Sequence, residues 1–175
     1  MQKLEKLFKR FWHKRAAKKS LHTSLEQKQL DLSFKLKHVR VLLDISLEIE
    51  VQFFSELAKA FGIPPANITV FAFRASKEIE KQYAHFFDLD EVTYFGKFEG
   101  DLALLCEKEV DLQINYFNRE DLYMEWVSTR AKKKLSVGFS SADQRLNDII
   151  FDFSPTDKVT LKKELVNYLT ILKLL

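Results

Sequence analysis

The side chains able to do chemistry in this sequence are present but do not assemble. Its one cysteine, Cys106, sits between Leu104-Leu105 and Glu107, where a neighbouring carboxylate raises the thiol pKa and makes a poor nucleophile. No G-x-S-x-G elbow offers an activated serine. His13, His22, His38 and His85 are scattered, two of them in a basic segment where repulsion between cations disfavours a metal. The glycines at 62, 96, 100 and 138 build neither G-x-G-x-x-G nor a Walker A loop. Acids cluster at Asp88/Asp90/Glu91 and at Glu107/Glu109/Asp111, a pattern that solvated loops supply as readily as acid–base pairs. No catalytic residue, no metal site and no cofactor is expected.

Two polar loops remain as candidates for a small ligand. Open α/β sheets bind ligands at the carboxyl ends of their strands. Asp44 and Ser46 follow one apolar run, and Ser140, Ser141 and Asp143 follow another. The same residue types also cap helices and turns, so both readings stand for all five residues.

Charge is the stronger signal. Residues 1–40 hold 12 basic and 3 acidic side chains, which leaves 16 basic and 22 acidic for the rest of the 175 residues. Lys3, Lys6, Lys9, Arg10, Lys14, Arg15, Lys18 and Lys19 face a single acid, Glu5, in the first twenty positions. They form a candidate polyanion-binding set. Leu4, Leu7, Phe8, Phe11 and Trp12 recur at three- and four-residue spacing, the stripe of an amphipathic helix, and form a candidate apolar docking set. Three readings follow. The lysines contact phosphates of ribosomal RNA or another polyanion while the aromatics stack or dock. Alternatively, the stripe enters the surface of an anionic membrane. In the third reading, the stripe packs on the protein's own sheet.

The elements that must position these residues are read from periodicity. A helix is expected from Leu4 to about Leu30, then a buried parallel strand at Val39–Asp44. A helix over Leu47–Phe61 ends at Gly62-Ile63-Pro64-Pro65, before a strand at Ile68–Phe73. Lys77–Phe87 reads as a helix or loop, Val92–Phe95 as a short strand and Leu102–Glu107 as a short helix. The strand Val110–Phe117 leads into a helix over Glu120–Lys132, and Leu135–Phe139 is a fifth strand. An apolar run at Ile149–Phe151 precedes a last helix over Asp157–Lys173. Strands alternating with helices predict a small α/β domain, a doubly wound, mainly parallel, Rossmann-like sheet of five strands with an N-terminal basic helix. The division is a basic arm over residues 1–34 and an α/β domain over 35–175.

A single cysteine excludes a disulfide scaffold. No uninterrupted apolar stretch follows the basic N-terminus and none approaches the roughly 18 residues of a membrane span, so a cytoplasmic protein is expected.

The strand Val110–Phe117, the segment Trp126-Val127-Ser128-Thr129-Arg130-Ala131-Lys132, the strand Leu135–Phe139 and the ending Asn147-Asp148-Ile149-Ile150 with its terminal helix resemble an uncharacterised bacterial family. Its members are domain-of-unknown-function proteins with a basic N-terminal helix. Residues 110–139 are also distantly similar to a strand-helix-strand unit of the N-terminal Rossmann-like domain of heptosyltransferase-type glycosyltransferases. Asn115 stands where that unit has its second acid, so this second resemblance implies the fold and not the reaction. The expected function is that of a non-catalytic binding protein. Its basic helix contacts ribosomal RNA or another polyanion and its α/β body contacts a protein partner. The alternatives are peripheral association with an anionic membrane and a nucleotide- or sugar-phosphate-binding domain.

Overall fold

A computed structural model describes residues 2–27, 30–73, 83, 85–87 and 89–175. Six parallel strands form one sheet in the order β3-β2-β1-β4-β5-β6: β1 Val39–Asp44, β2 Ile68–Phe73, β3 His85–Phe87, β4 Val110–Tyr116, β5 Lys133–Phe139 and β6 Ile149–Phe151. Among the described residues five helices accompany them, α1 Gln2–Gln27, α2 Val51–Phe61, α3 Gly100–Glu107, α4 Leu122–Arg130 and α5 Lys158–Ile171. The chain winds outward from β1 to β3, then returns to pair β4 against β1 and winds out the other way. The sheet is therefore doubly wound, with its switch point between β1 and β4, and has six strands among the described residues where five were expected.

Alternation along β1 sorts the two faces. Val39, Val41 and Leu43 join Phe53, Phe54 and Leu57 of α2 and Leu161, Leu165 and Leu169 of α5 in one core. Leu42 joins Leu102 and Leu105 of α3, Met124, Trp126 and Val127 of α4, and Ala17 of α1 in the other. The second face is partly polar. Arg40, only 1% exposed, donates to the Gln113 side chain (3.2 Å), to the carbonyls of Leu105 (2.7 Å) and Lys132 (3.3 Å), and to that of Lys108. These carbonyls end α3 and follow α4, so a cation meets the negative ends of two helices. Gln113 donates on to Asn115 and Ser128, and Asn115 to Asn147.

Two expected elements need correction. Of Lys77–Phe87, residues 77–82 and 84 lie outside the described residues, and His85–Phe87 is an edge strand paired with β2, not a helix or loop. Val92–Phe95 is not a strand of the sheet: Val92 makes one antiparallel bridge to Phe98, and the residues between them turn. Thr93 and Lys97 bond across this turn, and Gly96 adopts φ 83°. The apolar run Ile149–Phe151 is the sixth strand.

Candidate binding surface

α4 begins where Asp121 accepts from the amides of Tyr123 (3.0 Å) and Met124 (3.1 Å), an N-cap that fixes the rotation of the helix. That rotation turns Tyr123, Trp126 and Thr129 toward α1. The opposing residues on α1 are small or polar. His13 is 1% exposed: its Nε2 donates to the Thr93 carbonyl (2.9 Å), which leaves Nδ1 to accept from the Tyr123 hydroxyl (3.1 Å). Its ring lies against those of Tyr123 and Trp126. Ala17 is buried, and Ser20 Oγ lies 3.0 Å from Thr129 Oγ1, which donates to the Trp126 carbonyl. Gly96 is required here. A Cβ at that position would come within 2.7 Å of the Trp126 ring and 3.2 Å of Ala16, at a positive φ. Burial lowers the His13 pKa against the raising effect of its bond to Thr93, so the ring stays neutral near pH 7 and adds nothing to the charge of α1.

This seat determines what faces water. At 3.6 residues per turn, Phe8 and Phe11 fall on the side of α1 opposite His13 and Ala17, flanked by Leu7 and Trp12; Leu7, Phe8, Phe11 and Trp12 are 60%, 53%, 52% and 42% exposed. The reading in which the stripe packs on the protein's own sheet is thereby corrected: the helix docks through His13, Ala16, Ala17, Ser20 and Leu21, and the larger aromatics of the stripe stay outside. Lys6, Arg10, Lys14, Arg15, Lys18 and Lys19 are exposed and Lys9 is half-buried. The side chains of Lys3 and Leu4 lie outside the described residues. Phe11 and Trp12 meet edge to face, and the Arg15 guanidinium stands 5.8 Å from both ring centres, a cation–π arrangement on an open surface.

The carboxyl edge of the sheet offers less. Asp44 is 2% exposed; it accepts from the Ser46 amide (3.0 Å) and pairs with Arg119 Nε (3.0 Å). Asp143 accepts from the amide of Arg145 and holds its guanidinium, which keeps the carboxyl below its ordinary value. Ser140 donates to Asp152 (2.6 Å), and Ser141 is exposed. These side chains cap or pair locally, and the two loops follow strands separated by β4. Cys106 is buried, and burial, rather than Glu107, is the main reason its thiol is pushed up to about 11. Among the described residues no three His, Cys, Asp or Glu side chains converge as metal ligands, and no helix is long and apolar enough to cross a membrane.

A family of unknown function, DUF6913, matches residues 9–172. The chain belongs to this family. No curated protein and no solved structure matches it. The DUF6913 match begins at Lys9, so it takes in His13, Ala17 and Ser20 as well as the α4 residues they meet. The seat of the basic helix thus lies within the DUF6913 region.

Proposed function

We propose that the protein is a non-catalytic binding protein whose α1 contacts a polyanion, ribosomal RNA in the first instance, while its α/β body contacts a protein partner. The observation that carries this reading is the orientation of α1. His13, Ala17 and Ser20 hold the helix on α4, and Lys6, Arg10, Lys14, Arg15, Lys18 and Lys19 remain exposed, with no ion-pair partner among the described residues. Unneutralised cations on a fixed helix form an electrostatic footprint for phosphates. Arg15 over Phe11 and Trp12 adds flat surfaces on which a base stacks.

Titration of a fluorescent single-stranded RNA at rising salt tests this. Six phosphate contacts at roughly 0.7 each give a log–log slope near −4. Exchanging Lys6, Arg10, Arg15 and Lys18 for Gln, which keeps helix propensity, removes four contacts and brings the slope to about −1.4. A slope that is flat in the native protein, or unchanged in the variant, overturns the reading. In lysate, the native protein is expected to travel with ribosomal particles through a sucrose gradient at low salt and to leave them at high salt.

The exposure of Leu7, Phe8, Phe11 and Trp12 supports a second reading, insertion of that face into an anionic membrane. Against it, Lys14, Arg15 and Lys18 fall on or beside the same face within two turns, so apolar and cationic residues are not segregated as an interfacial helix requires. Binding to phosphatidylserine vesicles that survives 300 mM salt and is lost in Phe11→Ala/Trp12→Ala would favour the membrane.

A further inference from the structure

The wall of α1 that carries Lys19, Ser20, Thr23 and Ser24 also borders a cleft of about 640 Å³, a volume within the range of ligand sites. Its other wall is the end of α4 with the first residues of β5, and its rim is the turn that carries Arg145. Six basic side chains line it, Lys19, Arg130, Lys132, Lys133, Lys134 and Arg145, against one carboxylate, Asp148. That carboxylate is committed, accepting from the Ser136 amide (2.7 Å) and hydroxyl (2.6 Å).

Three of the cations are occupied. Lys133 donates to the Ser128 carbonyl near the end of α4, Lys134 pairs with Asp111 at 2.8 Å, and Arg145 pairs with Asp143. The other three have no ion-pair partner among the described residues. Arg130 lies 4.6 Å over the Phe98 ring, which orients its guanidinium without neutralising it. Lys19 and Lys132 stand exposed on opposite walls. Like charges brought to one concave site repel one another, and an anion bound between them relieves that repulsion.

We propose that this cleft is a phosphate-binding site. It takes two or three linked phosphates between Lys19 and Lys132, with Arg130 as the planar, bidentate partner and the hydroxyls of Ser20, Thr23 and Ser24 as neutral donors. A free polyphosphate or nucleotide supplies such a group, and so do successive phosphodiesters of a nucleic-acid strand. Only the second source rests on the polyanion reading of α1.

Calorimetric titration with inorganic triphosphate, and separately with a 12-nucleotide RNA, distinguishes the sources. The variants are K19E/K132E, at two exposed positions where charge reversal leaves the core intact, and Lys162→Glu on α5 as a control. At least about tenfold weaker binding of whichever probe binds is expected in K19E/K132E, the loss of two charge-assisted contacts, with no change in the control. Triphosphate bound and weakened in this way identifies a free phosphate ligand. RNA alone bound, and weakened by Lys132→Glu on its own as well as by the pair, identifies a strand in the cleft, since Lys132 is not part of α1. The proposal is overturned if neither probe binds, if K19E/K132E binds as the native protein does, or if sodium sulfate at equal ionic strength displaces the probe. RNA binding that is lost with the four Gln exchanges on α1 but indifferent to K19E/K132E sinks the cleft and leaves the α1 reading standing. Triphosphate binding without RNA binding does the reverse.

Discussion

Glu125 predicts a stability that falls as pH rises through the acid range. It lies on α4 in a groove that flanks α1, faced by Lys14 and Lys18 from α1 and by Asp143 and Arg145 from the turn after β5. Its Oε1 is buried without a hydrogen-bond partner. Burial pushes the carboxyl from an ordinary value near 4.5 up to about 7, repulsion from Asp143, Glu120 and Asp121 adds to this, and a backbone hydrogen bond at Asp121 opposes it. Below pH 4.5 the folded and unfolded states are both protonated and the residue is neutral for stability. Between pH 4.5 and 7 the unfolded chain releases its proton while the folded one retains it, so stability is lost, and above pH 7 the loss is complete. At 1.36 kcal/mol per pH unit the gap sets a ceiling of roughly 3.4 kcal/mol. Water in the open groove and the two lysines bring the expected figure to about 2 kcal/mol. Glu125→Gln keeps the shape and removes the ionisation. In urea titrations the variant should match the native protein at pH 4.5 and exceed it by about 2 kcal/mol at pH 7.5, a gain of roughly 4–8 °C in Tm for a chain of this size. A difference that is the same at both pH values, or a Gln variant less stable at pH 7.5, refutes the reasoning.

Two further predictions concern the buried face of the sheet. Arg40→Met removes the donor to the carbonyls of Leu105, Lys108 and Lys132; Lys132 keeps its bond from the Val110 amide, but the other two lose the guanidinium in the interior, so a loss of about 3 kcal/mol is expected from the midpoint of urea unfolding; a loss under 1 kcal/mol would show that water replaces the guanidinium there. Cys106, buried and with its thiol pushed up to about 11, should resist a maleimide at pH 7.5 in the folded protein and react within minutes in 6 M guanidinium; rapid labelling of the native protein would contradict its burial.

The parts of this fold that periodicity makes legible are those with enough residues and a chemical stop. β1 and β2 run to Asp44 and from Ile68 as expected, because Asp44 caps the turn that follows and Gly62, at φ 69°, with Pro64 and Pro65 closes α2. β3 and β6 have three residues each, too few to display an alternation, and their partners across the sheet decide them. The polar side of the core is hidden for another reason. Arg40, Gln113, Asn115, Ser128 and Asn147 are all buried, but a polar residue in an apolar strand looks like a surface position until the helix that covers it is in place. Glu125 and the cations at 130–134 are equally silent in sequence, since each becomes a site feature only when α1 lies across α4.

α1 shows how the same signal can be right about an element and wrong about its orientation. Hydrophobic periodicity weights the largest side chains, so it selects Leu7, Phe8, Phe11 and Trp12 as the contact face. Packing selects by complementarity instead: Trp126 and Tyr123 already fill the space above α4, and the helix approaches them through His13, Ala16, Ala17, Ser20 and Leu21. With that face committed, four large apolar side chains stay in water, at an unfavourable burial balance of about 1.5–3 kcal/mol for each one that a partner would cover fully. Such a patch suits the interaction surface proposed for α1, and the cations around it have no ion-pair partner among the described residues. The binding role proposed from composition therefore rests on a different physical basis, the outward exposure of the large side chains of a helix seated through His13, Ala16, Ala17, Ser20 and Leu21.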